Sequence, residues 1–263
     1  MIFFRSLSSA KGPELSSFRS YATEEWSHYA RTVQEDPVIA ETIISFFSTP
    51  APSSYLSWLD AWTPVYGPTR WFIERDGSTE RRPLAGIFYA SYFDLHSIVE
   101  ALLKSGESPD GLMDDSAFPI HAAAYAGNIN ILQLLLRAGA NVKAKNCQGD
   151  APLHLAVYYA YIDVVELLLS HGAEVNERNK QLQTPLAVAM IDRGSLQTYI
   201  PAKLTQVLLE AGASVNLPDI DGQTPLHKAA SRFDYKDIVP SWISIKYTIN
   251  MTETRLTFWC KPP

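Results

Sequence analysis

The sequence predicts an all-α protein of repeated helical pairs stacked into a solenoid. Three observations carry that expectation. Residues 118–150 and 151–183 can be written as two rows of 33 residues, FPIHAAAYAGNINILQLLLRAGANVKAKNCQGD over APLHLAVYYAYIDVVELLLSHGAEVNERNKQLQ. In these rows Pro119 and Pro152 fall in step with Pro185, His121 with His154, and Gly139 with Gly172. The runs Leu134-Leu135-Leu136 and Leu167-Leu168-Leu169 align as well. A fixed period of this size marks a repeat architecture, whose units cannot bury an apolar face alone and must stack.

The residues have reasons to sit where they do. Proline is tolerated at the first position of a helix. The small run Ala122-Ala123-Ala124 then allows close packing, and Ile131 to Leu136 supplies a second helix. Gly139 stands where a helix end wants a positive φ.

These residues resemble the ankyrin repeat, a turn plus two antiparallel helices with a T-P-L-H-x-A signature. Pro152-Leu153-His154, Gly172-Ala173, Val175-Asn176 and Thr224-Pro225-Leu226-His227 match it in register. The resemblance implies an ankyrin solenoid whose histidine at this position bonds the turn backbone.

Taken in order, residues 1–13 read as a loose terminus and 14–82 as a helical adaptor segment. Residues 1–20 are rich in Ser with Arg5, Lys11 and Arg19, a faint transit-peptide composition. Phe18, Ala22, Trp26, Tyr29 and Val33 recur at helical spacing. Asp36-Pro37 reads as an N-cap and first position of a second helix with Val38, Ile39, Thr42, Ile43, Phe46 and Phe47 on its apolar face. Tyr55 to Trp62 reads as a short third helix, and 63–82 as loop. Tyr21-Ala22, Trp26, His28 and Trp58-Leu59 resemble a segment of fungal NACHT/ankyrin-type proteins, where it joins a nucleotide-binding module to the repeats. That module is absent from this sequence, which contains no G-x-x-x-x-G-K-[ST] loop. Its aromatic stripe is expected to pack on the first repeat.

The repeats are expected at about 83–117, 118–150, 151–183, 184–223 and, in part, 224–239. The first is degraded, with Pro83-Leu84-Ala85 in place of the P-L-H run. Terminal repeats are often atypical because one face meets something else, here the adaptor. Phe118 and Ala151 replace the capping threonine, a loss of about 0.5–2 kcal/mol at each helix, whereas Thr184 and Thr224 keep it. Aligning Leu204 to Leu209 with the earlier aliphatic runs places seven extra residues of the fourth repeat around 193–203. Insertions in repeats fall in surface loops, so Tyr199, Ile200 and Pro201 are either contact residues or a tolerated extension. Pro240 ends the fifth repeat, and 240–263 reads as an irregular tail with strand-like alternation at Ile243, Ile245, Tyr247 and Ile249. A solenoid needs a polar cap, so either this tail improvises one or the chain is a fragment of a longer protein, the reading preferred.

Composition narrows the function. A formal charge of −6 lacks the basic footprint of general nucleic-acid binding. No apolar run reaches the roughly 18 residues of a membrane span, and the apolar start is shorter than the roughly 7–15 residues of a signal core. Cys147 and Cys260 give no disulfide framework. An intracellular, cytoplasmic setting is expected, with the nucleus left open. No His or Cys pair has metal-site spacing, and neither a G-x-S-x-G elbow nor a dinucleotide fingerprint occurs. Cys147, near an exposed turn tip, lacks a base. The expected protein is not an enzyme and uses no cofactor, metal or small-molecule substrate.

The ankyrin resemblance implies binding of a protein partner on a concave surface of turn tips and first helices. By register that surface includes Asp114, Asp115 and Tyr125, then Lys145, Cys147, Gln148, Asp150, Tyr158 and Tyr159. The fourth repeat adds Arg178, Lys180, Gln181, Gln183 and Asp192, and the fifth Asp221, Gln223 and Arg232. Tyr158 and Tyr159 are the expected anchors, since interface hot spots favour Tyr, Trp and Arg. Tyr161 stands where the resemblance expects a histidine and is expected to form an aromatic cluster with Tyr125 of the preceding repeat. These tyrosines could also simply cover the gap left where Ala160 replaces glycine. The competing function is the regulatory, ligand-sensing end of a NACHT-type signalling NTPase.

Overall fold

The computed structural model describes residues 86–111, 118–191 and 202–232. It also describes 28, 30–32, 34–36, 38, 40, 41 and 44. They fall in two compact units, Met1–Glu174 and Val175–Pro263. The first unit holds three short helical pairs: α1 (Gly86–Tyr92) with α2 (His96–Lys104), α3 (Pro119–Ala126) with α4 (Ile129–Arg137), and α5 (Pro152–Tyr158) with α6 (Ile162–Ser170). The second unit holds α7 (Pro185–Ala189), α8 (Ala202–Glu210) and α9 (Pro225–Arg232). The all-α expectation therefore holds among the described residues.

In the first unit α1, α3 and α5 pack side by side, and α2, α4 and α6 form a second row behind them. The first row meets its neighbours through Phe88, Ala122, Ala123, Leu153 and Ala156, each at most 1% exposed. The second row inserts Ile98, Leu102, Ile131, Leu135 and Leu168, likewise at most 1% exposed. Fully burying one such side chain contributes about 1.5–3 kcal/mol, which offsets the poor intrinsic stability of helices shorter than three turns. In the second unit Leu186, Ala187, Leu204, Leu208 and Ala229 are buried in the same manner.

Helix ends follow the sequence reasoning. Pro119, Pro152 and Pro185 occupy first positions. Thr184 Oγ1 accepts from the Ala187 N–H at 3.2 Å, while Phe118 and Ala151 supply no such acceptor. At the end of α4, Gly139 takes φ 91° and the Ala140 N–H donates back to the Leu135 carbonyl at 2.9 Å. Only a residue without a Cβ adopts that φ cheaply. His171 caps the end of α6, its Nδ1 donating to the Leu167 carbonyl at 2.9 Å.

The turn tips are built on one recurring residue. Asn146 Oδ1 accepts the N–H groups of Gln148 at 2.9 Å and Asp150 at 2.8 Å. Asn179 does the same for Gln181 and Gln183, and Asp219 for Asp221 and Gln223. A short side chain that satisfies two backbone donors holds the tip closed without a sheet. The histidine that recurs in successive repeats completes it: His121 Nε2 donates to the Asp150 carbonyl at 2.8 Å, and His154 Nδ1 accepts from the Ala151 N–H at 3.1 Å.

At the N-terminal edge, Asp36 Oδ1 accepts from the Val38 N–H at 2.9 Å, the expected helix cap. The expected apolar face is corrected at Val38, which is 71% exposed. Leu95 has no oxygen with which to cap α2, and Gln34 Oε1 accepts the Ser97 N–H at 3.1 Å in its place. The other residues of the proposed adaptor stripe, the P-L-A run at 83–85, residues 193–201 of the expected insertion and the segment 233–263 lie outside the described residues. Helix α8 begins at Ala202, within the last two residues of the expected insertion and two before Leu204, where the aliphatic run was aligned.

Candidate protein-binding surface

The last turn of each first helix in the first unit carries a tyrosine. Tyr92, Tyr125 and Tyr158 are spaced by the 33-residue period. Period and packing together turn them into a continuous aromatic patch. The Tyr92 and Tyr125 ring centroids are 5.8 Å apart, Tyr125 meets Tyr159 edge-on at 4.6 Å, and Tyr159 meets Tyr158 edge-on at 4.9 Å. Tyr161 stacks on Tyr159 at 6.0 Å. Edge-on and offset contacts of this kind contribute about 0.5–1.5 kcal/mol each beyond area burial. All five rings are half-buried, so each keeps part of its surface in solvent.

The local sequence explains the arrangement. Gly127 ends α3 at φ 77°, and a Cβ there would lie 3.0 Å from Cε1 and Cζ of Tyr161, so the glycine leaves the place where that ring rests. The equivalent of Tyr161 one repeat earlier is Asn128, whose Nδ2 donates to the Ser91 and Tyr92 carbonyls at 2.8 and 3.0 Å. Ala160, at the position of Gly127, is held at φ 58°. Partial burial raises the phenol pKa of Tyr92, Tyr159 and Tyr161, and a hydrogen bond with Tyr125 adds to the effect at Tyr159. The three hydroxyls stay protonated and able to donate at neutral pH.

Of the residues expected on the binding face, Tyr125, Tyr158 and Tyr159 are brought together. Tyr161 joins them, as the expected cluster with Tyr125 has it, and Tyr92 joins them unannounced, although it could have been found by counting back one period from Tyr125. Lys145 is exposed and Gln148 half-buried, but both stand at the turn tips. The tips lie beyond the N-termini of the first helices, whereas the tyrosines lie near their C-termini. Pro152 and Tyr158 are six residues apart on α5, about 9 Å along the axis. Asp150, expected as a contact, is corrected: it is 3% exposed and occupied in the turn. Cys147, expected near the surface, is also corrected, at 4% exposed. Its thiol is walled off from solvent.

In the second unit Arg178 bonds the carbonyls of Leu182 and Pro218, and the Gln181 carbonyl accepts from the Ile220 N–H at 2.9 Å, joining two tips. Lys180, Gln181, Asp221 and Gln223 are exposed, while Gln183 is half-buried. Asp114, Asp115 and Asp192 lie outside the described residues, as does the side chain of Arg232. Among the described residues no cluster of His, Cys, Asp or Glu could hold a metal ion. No helix among them is long and apolar enough to cross a membrane.

The comparisons with known proteins agree with this architecture. Residues 87–179 match the family description of ankyrin repeats in three copies, and residues 201–239 match that of ankyrin repeats in many copies. Neither stretch reaches the segment that resembles NACHT-type proteins. A comparison with curated proteins returned no match. Through these two stretches, and through the common register of their helices and turns, the chain is an ankyrin-repeat protein.

Proposed function

We propose that the chain is a protein-binding module without chemistry of its own, and that the tyrosine patch of its first unit is the anchor for the partner. One observation carries this reading. Five tyrosines from three consecutive repeats form a connected patch that the fold leaves half in solvent. A buried core has no use for so many phenolic hydroxyls, whereas interfaces favour rigid rings with a polar edge. The repeats themselves support it, since ankyrin repeats generally mediate protein–protein interaction.

The test is affinity capture from cell extract with cross-linking, followed by titration of the captured partner against the wild type and Tyr158→Ala. A hot-spot tyrosine contributes about 2 kcal/mol or more, so affinity falls by about thirty-fold. Equal affinity for both proteins, with unchanged helicity, refutes the assignment of the anchor.

A further inference from the structure

The tyrosine patch is carried by three short stretches of the first unit. It lies at the end of each repeat where the first helix turns into the second. The stretches that make this end, residues 90–99, 123–132 and 156–165, contain Asp94, His96 and Asp163 but no lysine or arginine. The lysines and arginines of repeat residues 86–174 are elsewhere. Lys104 and Arg137 are in the last turns of α2 and α4, and Lys143 and Lys145 precede the turn tip. Antiparallel pairing puts those positions at the opposite end of each repeat. Asp163 is exposed in the first turn of α6, two residues after Tyr161. Asp94, two residues after Tyr92, feels the charge of Arg31 from the N-terminal segment, so of the two carboxylates Asp163, on the Tyr161 side, is the one offered to a partner.

Ring faces carry negative quadrupole density and attract cations, and a guanidinium also stacks flat on them where an ammonium cannot. A carboxylate beside the rings supplies the counter-charge. We infer that the tyrosine end of the first unit docks an arginine-bearing segment of a partner protein, with guanidinium groups against the rings around Tyr158 and Tyr159 and Asp163 as their counter-ion. This rests on the protein-binding reading and names the chemistry of its partner. An acidic partner would face Asp163 with no lysine or arginine in these three stretches to compensate it.

The experiment uses the full chain and four labelled octapeptides, alternating glycine with arginine, lysine, glutamate or leucine, read by fluorescence anisotropy. The arginine peptide should bind best, followed by lysine, with glutamate and leucine weakest. Tyr158→Leu and Asp163→Asn should each weaken the arginine peptide by about three- to thirty-fold, the range for exposed to desolvated cation–π contacts. Tyr158→Phe, which keeps the ring, should retain binding. Circular dichroism on each variant separates binding from folding, and exposed Asp163 supplies an arm that does not depend on a packed ring. Equal binding of arginine and lysine peptides with no loss in either variant reduces the effect to general attraction by an acidic protein and overturns the inference. If the leucine or glutamate peptide binds best and is lost with Tyr158→Leu, the inference falls and the protein-binding reading stands. If no peptide depends on Tyr158, both fall.

Discussion

Gly127→Ala probes the junction on which the tyrosine patch is built. Two costs add. An alanine held at φ 77° pays about 1–2 kcal/mol for the left-handed conformation, less about 0.4–1 kcal/mol returned by a stiffer unfolded chain, a net of about 1 kcal/mol. Its Cβ would also stand 3.0 Å from two carbons of the Tyr161 ring, which is itself stacked on Tyr159. Displacing that ring is overpacking, of order 1 kcal/mol at a half-buried site. The expected destabilisation is about 2 kcal/mol, read as a urea midpoint lower by about 1 M in circular dichroism. In a Tyr161→Ala background the same substitution should cost only about 1 kcal/mol, because the steric part has gone. An identical cost in both backgrounds refutes the steric argument, and a neutral Gly127→Ala refutes the conformational one as well. The mirror change, Ala160→Gly at φ 58°, should stabilise by about 0.5 kcal/mol, the relief of strain less the entropy glycine adds.

Two further outcomes follow from buried polar groups. Burial holds the His121 imidazole pKa at about 4 against an ordinary 6.5, so the unfolded chain takes up a proton that the native state refuses between those values. Stability is therefore fully present above pH 6.5 and falls by about 3 kcal/mol as pH drops towards 4. Urea midpoints of the wild type and His121→Gln at pH 7 and 4.5 should diverge, and parallel curves would refute the assignment. Asp219 is buried against Lys228 Nζ at 2.6 Å. Burial pushes its carboxyl pKa up, but Lys228 and the turn N–H groups outweigh burial and hold it below the usual range, so this contribution is present above about pH 4 and lost in acid. Lys228→Met strands the carboxylate and should cost about 3 kcal/mol. Adding Asp219→Asn, the residue type of the other two tips, should restore most of it in thermal melts.

The period alone determined most of the architecture. Proline, alanine and leucine runs repeating every 33 residues leave helical pairs in register as the arrangement that buries both faces, because no single pair can do so. The caps at Thr184 and Asp36 and the glycine-ended α4 were legible for the same reason: they depend on residues a few positions apart. What the sequence left undecided was which residues of one repeat meet those of the next. Val38 looked apolar and inward by spacing yet points to solvent. Asp150 and Cys147 looked like tip residues, yet the turn closed by Asn146 folds them inside. Tyr92 became part of the candidate site only when stacking placed it against Tyr125, and stacking also laid Tyr161 over Gly127. Local propensity is written along the chain, but a surface shared by three repeats is created by their packing. That surface belongs to the tertiary structure.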